Sequence, residues 1–116
     1  MARRDLTGAV DFAYLEGFAA GDQAVVDEVL ELFREQAAMW SRLLHPDQLG
    51  WRDAAHTVKG AARGVGAVAL ADACERAETG EGGLDEARFQ MDLALADIAA
   101  YQHERMLQSL KGGAAS

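Results

Sequence analysis

At 116 residues the chain has room for one small domain and none for a separate catalytic module or nucleotide-binding lobe. Hydrophobic residues make up 50% of it, with a single proline and few β-branched residues outside short valine runs, a helical and globular composition. A formal net charge of -8 repels nucleic-acid phosphates and anionic membrane surfaces, which argues against either as the primary partner.

Residues 1–10 read as an N-terminal extension. Arg3 and Arg4 stand near its start, but Gly, Asp and Glu soon interrupt the apolar residues that a secretory leader needs. No apolar stretch is long enough to span a bilayer. The lone Cys74 has no internal disulfide partner, and no paired Cys/His spacing suggests structural zinc, so a reducing cytoplasm is the expected compartment.

From Asp11 to Ala20 the apolar residues Phe12, Leu15, Phe18 and Ala19 recur at helical spacing behind Asp11 as a cap, predicting a short lead-in helix. Gly21-Asp22 interrupts it. From Asp22, the series Val25, Val26, Val29, Leu30, Phe33, Ala37, Trp40, Leu43 and Leu44 predicts a first long helix that ends at His45-Pro46, because proline disfavours helical geometry in the residue before it. Asp47 is the expected cap of a second helix, from about Gln48 to Val65.

Gly64 and Gly66 loosen the end of that helix. A third follows from about Ala67 to Thr79, with Leu70, Cys74 and Ala77 on one stripe, and Gly80, Gly82 and Gly83 make the next break. The last helix is expected from Leu84 to about Leu110, followed by a flexible tail over 111–116. Amphipathic helices joined by short polar turns are best satisfied by an all-α, antiparallel four-helix bundle over 11–110, preceded by the lead-in helix. Cys74, Trp40 and Trp51 read as core residues of that bundle.

The second helix carries the chemistry. At about 100° per residue, Trp51, Ala54, Val58, Ala61 and Val65 gather on the predicted core side. The opposite side collects Leu49, Arg52, Asp53, His56, Lys59, Gly60 and Arg63, so His56 points to solvent among cations and beside a glycine. A neutral imidazole, with a reference pKa of about 6.5, is a competent nucleophile near neutrality. Gly60 lies one turn on, in a helix interior where glycine costs roughly 1 kcal/mol relative to alanine, which suggests clearance for something that approaches closely. Tight packing against another helix is the alternative. Lys59 can donate to phosphoryl oxygens and Arg63 can add longer-range positive potential. Arg52, Asp53 and Arg63 taken alone read as ordinary solvated surface, and exposed Leu49 suits docking.

The string Ala55-His56-Thr57-Val58-Lys59-Gly60-Ala61-Ala62-Arg63-Gly64-Val65-Gly66-Ala67 resembles the signature of histidine-containing phosphotransfer (HPt) domains, and Leu70, Cys74 and Glu78 continue the similarity into the third helix. The resemblance covers roughly Asp11 to Leu110. It implies a phosphoacceptor at His56, a phosphate-neutralising lysine at Lys59, a space-making glycine at Gly60 and a helix-closing glycine at Gly66. Gly64 departs from the polar residue many members carry, and Ala77 from the commoner large aliphatic. The implied role is a carrier in a cytoplasmic two-component phosphorelay rather than an enzyme, passing phosphoryl groups between receiver aspartates. Its implied partners are response-regulator receivers and an upstream hybrid sensor histidine kinase. The chain itself is expected to be a monomer that binds no cofactor, with Mg²⁺ supplied by the receiver.

Other classes fit less well. A kinase dimerisation helix usually follows its histidine with an acidic residue, where Thr57 stands, and Lys59-Gly60 lacks the spaced glycines and strand of a P-loop, so self-phosphorylation from ATP is not expected. A metal-binding bundle places Glu and Glu-x-x-His inward on facing helices, a pattern that His45, His56 and His103 do not form. A non-catalytic adaptor would have no need of His56, Lys59 and Gly60 in register.

Overall fold

The computed structural model describes the backbone of residues 6–115 and the side chains of residues 6–111. Every regular element among them is a helix: α1 (Phe12–Phe18), α2 (Gln23–Leu43), α3 (Trp51–Val65), α4 (Val68–Thr79) and α5 (Leu84–Ala115). The α2–α5 helices form the bundle, and α1 packs across α2 and α3. The 54 Å long axis is set by α5, whose 32 residues span about 48 Å at 1.5 Å per residue.

The caps explain most boundaries. Asp11 accepts from Tyr14 N at 3.1 Å to start α1, and Asp22 accepts from Ala24 N at 3.1 Å to start α2. The expected start of α3 at Gln48 needs correction. Pro46-Asp47 is used in a turn closed by Gln48 N donating to His45 O, and a second turn closed by Trp51 N donating to Gln48 O delays the helix to Trp51. Its cap position is therefore Gly50, and Asp47 caps nothing. At the other end α5 continues to Ala115, past the expected end at Leu110, while Ser116 lies outside the described residues.

Each helix contributes a stripe to one core, including Leu30 and Trp40 from α2, Val58 from α3, Leu70 and Cys74 from α4, and Met91 and Ile98 from α5. The core face of α3 is rotated from the expected one. Ala55 and Ala62 are fully buried, whereas Trp51 and Ala61 are half-buried at the margin. Ala55 and Ala62 share a stripe with Lys59, which is paired to α4, and small residues there let the two helix backbones approach closely.

The extension is more firmly attached than its sequence suggests. Asp97, buried in α5, accepts from Thr7 N at 2.7 Å, Thr7 Oγ1 at 3.0 Å and Ala9 N at 2.9 Å, and Val10 is buried. These bonds satisfy a carboxylate whose burial alone would be costly. The packed unit thus begins before residue 11.

The reversal between α3 and α4 occupies only residues 66–67. Gly66 closes α3 in the left-handed conformation at φ 81°, and its carbonyl accepts from Asp11 N at 2.9 Å, tying the start of α1 to the same corner. A Cβ at Gly66 would lie 2.8 Å from Asp11 O. Gly66→Ala is therefore expected to destabilise the domain by about 1–3 kcal/mol through the combined backbone strain and clash. Urea unfolding should show the midpoint lowered with the slope unchanged.

Candidate functional site

The α3 sequence puts His56 near the middle of a 15-residue helix on the side away from Val58 and Ala62. Its side chain is 72% exposed. Because α4 runs back antiparallel from the reversal, residues equally far along the chain from Ala67 face one another: Glu78 meets His56, and Glu75 meets Lys59. The imidazole Nδ1 lies 3.1 Å from Glu78 Oε2, and Lys59 Nζ lies 2.8 Å from Glu78 Oε1 and 3.8 Å from Glu75 Oε1. Arg63 Nη2 donates to Glu75 Oε1 at 3.0 Å.

Lys59 is only 16% exposed and Glu78 21%, so this ion pair is shielded on the flank of the exposed ring. Lys59 and His56 together hold the Glu78 carboxyl below its ordinary value of 4.5, with the Lys59 contact the largest cause and partial burial opposing it. Cys74 lies beneath, fully buried, with its thiol pushed up to about 11 by burial and by the nearby Glu78 charge. It is a packing residue with no accessible thiolate.

The remaining expected site residues divide. Arg52 stacks its guanidinium 4.5 Å from the Trp51 ring and donates to Glu78 O at 3.0 Å, placing a cation at the C-terminal end of α4. Leu49 is fully exposed but sits in the loop before α3, off the helix that was expected to carry it. Gly60 is exposed, and a Cβ there would meet nothing within 4 Å, as is also true of Gly64. Intramolecular packing therefore does not account for a glycine at position 60. Gly64 instead lies in an apolar groove of about 220 Å³ between α2 and α3, lined also by Val29, Leu32, Phe33, Trp40 and Ala61. His45 lies in the turn after α2 and His103 on α5, and among the described residues no group of three or more His, Cys, Asp or Glu is placed to hold a metal ion.

An exposed histidine flanked by a lysine and an open glycine on a bundle helix is the arrangement that the HPt resemblance implies. The family profile of the Hpt domain matches residues 24–113. The chain belongs to the Hpt domain family. A search of solved structures adds the crystal structure of histidine phosphotransferase ShpA from Caulobacter crescentus, at 67% sequence identity and a TM-score of 0.86, covering 89% of this chain and 99% of that one. Comparison with curated proteins gives no match.

In this Hpt domain the residue that sequence reading did not assign to the site is Glu78. It was visible only as part of the family similarity, because its partners lie 22 positions away in His56 and on a different helix. Glu75, which joins Lys59 and Arg63, was missed for the same reason.

Two outcomes follow from this geometry. Gly60→Ala fits into open space, so it should stabilise the Hpt domain by about 0.5–1 kcal/mol, the helix-propensity difference, measurable as a raised urea midpoint. The pH dependence follows from the lowered Glu78 value. A carboxyl depressed on folding stabilises the native state fully above its unfolded value, and that contribution is lost as pH falls through the lower folded value. A carbon-detected NMR titration of Glu78 should therefore give a midpoint below the ordinary one, moving upward in Lys59→Met.

Proposed function

We propose that His56 is the phosphoacceptor of this chain, receiving a phosphoryl group from a receiver aspartate and passing it to another. Family membership makes the chain a histidine phosphotransfer carrier of a phosphorelay, with receivers and histidine kinases as its general classes of partner. The observation that carries the assignment to His56 is its exposure at 72% beside Lys59 and the open surface at Gly60. His45 and His103 have no comparable surroundings: neither has a lysine and glycine following in register.

In the step we propose, a ring nitrogen of His56 attacks phosphorus in line, the N–P bond forms as the aspartyl O–P bond breaks, and the receiver carboxylate leaves. Positioning and electrostatics supply most of the acceleration in such transfers. This chain supplies the nucleophile, the cation Lys59 and a clear approach over Gly60. The receiver supplies its acids and Mg²⁺, and the same chemistry in reverse loads the second receiver. The receiver face settles over α3 and extends to the groove at Gly64, where Leu32 offers exposed apolar surface. The chain acts as a monomeric carrier without its own ATP site, in the reducing cytoplasm that its lone buried thiol suits.

Mixing the protein with a phosphorylated receiver should place an acid-labile phosphate on it, and His56→Gln should abolish the label while far-ultraviolet circular dichroism remains that of the native bundle. Undiminished labelling of that variant would overturn the assignment. Lys59→Ala should slow transfer roughly tenfold, equivalent to about 1.4 kcal/mol of lost transition-state stabilisation. Gly60→Glu should block it, by bulk and by repulsion of the phosphoryl group.

A further inference from the structure

The periodicity of α5 buries one face, with Met91, Ala94 and Ile98 in the core. At about 100° per residue the opposite face of such a bundle helix should be polar. Here it is largely apolar. Phe89 and Leu93 stand at one end of that outer face and Leu107 and Leu110 at the other, with Ala96, Ala100 and His103 between, in alternating steps of four and three residues. Phe89 is 56% exposed, Leu107 43% and Leu110 62%, and Leu93 is half-buried. The stripe runs about 32 Å along the helix, at 1.5 Å per residue. A long exposed apolar stripe at heptad spacing is a surface that suits another helix. α3 and α5 occupy diagonal corners of the bundle, each beside α2 and α4, so the outer face of α5 lies on the other side of the domain from His56.

We propose that the monomeric carrier pairs reversibly with a second copy of this chain through the outer face of α5, the two helices running antiparallel about a two-fold axis at Ala100. The stripe is complementary to its own reverse. In that register Phe89 of one copy faces Leu110 of the other, Leu93 faces Leu107, Ala96 faces His103, and Ala100 faces Ala100. Large side chains therefore meet at both ends, while the alanines let the axes approach at the centre and leave room for the His103 ring. Beside the seam Asp92 comes opposite Met106 and Gln90 opposite Lys111. Glu104 comes opposite Asp97, whose carboxylate is buried against Thr7 and Ala9, so no exposed like charges are opposed. A parallel pair would set each residue against itself, His103 included, and would align the two helix dipoles. The two-fold contact uses one patch twice and closes on itself, so it makes a dimer and no longer chain of copies. A single helix face gives an interface at the small end of specific ones, which makes the pairing concentration-dependent. Each copy keeps its own His56 open, and phosphotransfer needs only one.

The test is sedimentation of the full chain at about 0.5 M salt, where the repulsion between copies that each carry a formal charge of -8 is screened. The wild type should pass from monomer at about 10 µM to mostly dimer at about 1 mM, the weak association a small interface gives. Leu107→Glu and Leu93→Lys should each stay monomeric throughout, with far-ultraviolet circular dichroism of the native bundle. An equimolar mixture of the two should dimerise again, because antiparallel pairing sets position 93 opposite position 107 and joins the new charges. His103→Leu should tighten the association roughly tenfold, since a polar residue in the seam costs stability. A wild type that stays monomeric to about 1 mM, an undiminished dimer in Leu107→Glu, or a mixture that does not dimerise would overturn the proposal. So would a monomeric wild type in which Leu107→Glu slows phosphotransfer, an outcome that assigns the face to a receiver or kinase. The pairing stands or falls separately from the phosphoacceptor assignment, because His56→Gln should dimerise as the wild type does.

Discussion

The structure depends on the close antiparallel pairing of α3 and α4 through the left-handed reversal at Gly66. A glycine there ends α3 within one residue, and its carbonyl and missing side chain together receive the Asp11 backbone, so the lead-in segment and the helix pair share one corner. The reversal also sets the register of the two helices. Once α4 is aligned, Glu75 and Glu78 have no choice but to face Lys59 and His56, and the small residues Ala55 and Ala62 allow the approach that brings them within bonding distance.

The charge pattern of the site follows from this pairing. Read along α3 alone, Arg52, Lys59 and Arg63 make a basic rim around His56. In the folded domain each has a partner on α4: Arg52 the Glu78 carbonyl, Lys59 the Glu78 carboxylate, and Arg63 the Glu75 carboxylate. The exposed pair Arg63–Glu75 contributes little to stability, because water and salt screen it. The shielded pair Lys59–Glu78 is different in kind, since the Lys59 contact holds the carboxyl below its ordinary value against the opposing effect of desolvation. The same carboxylate that joins α3 to α4 through Lys59 also meets the His56 ring.

A second long-range contact shows the same economy of polar groups. Asp97 is buried in α5, where an isolated carboxylate would be unstable, and it is satisfied by backbone and side-chain donors from Thr7 and Ala9. Nearby, Tyr101 stacks on Phe12 at a centroid separation of 4.3 Å and donates to Glu16 at 2.6 Å, so α1 is fastened to α5 by aromatic and polar contacts. The N-terminal segment is thereby part of the domain that presents His56 rather than an appendage to it.

By itself the sequence determined the helices and the His56-Lys59-Gly60 register with its exposed histidine, because periodicity at 3.6 residues and glycine or proline punctuation are local properties of the chain. The start of α3 was displaced because two consecutive turns used the residues expected to cap it. The depth of Trp51 and Ala61 was misjudged because a wheel gives the direction of a face but not which neighbour covers it. Only the tertiary structure decided what His56 faces. Glu78 and Glu75 are ordinary acidic residues in a helical sequence until the Gly66 reversal folds α4 back, and the hydrogen bond that joins Glu78 to His56 has a geometry that no local pattern encodes.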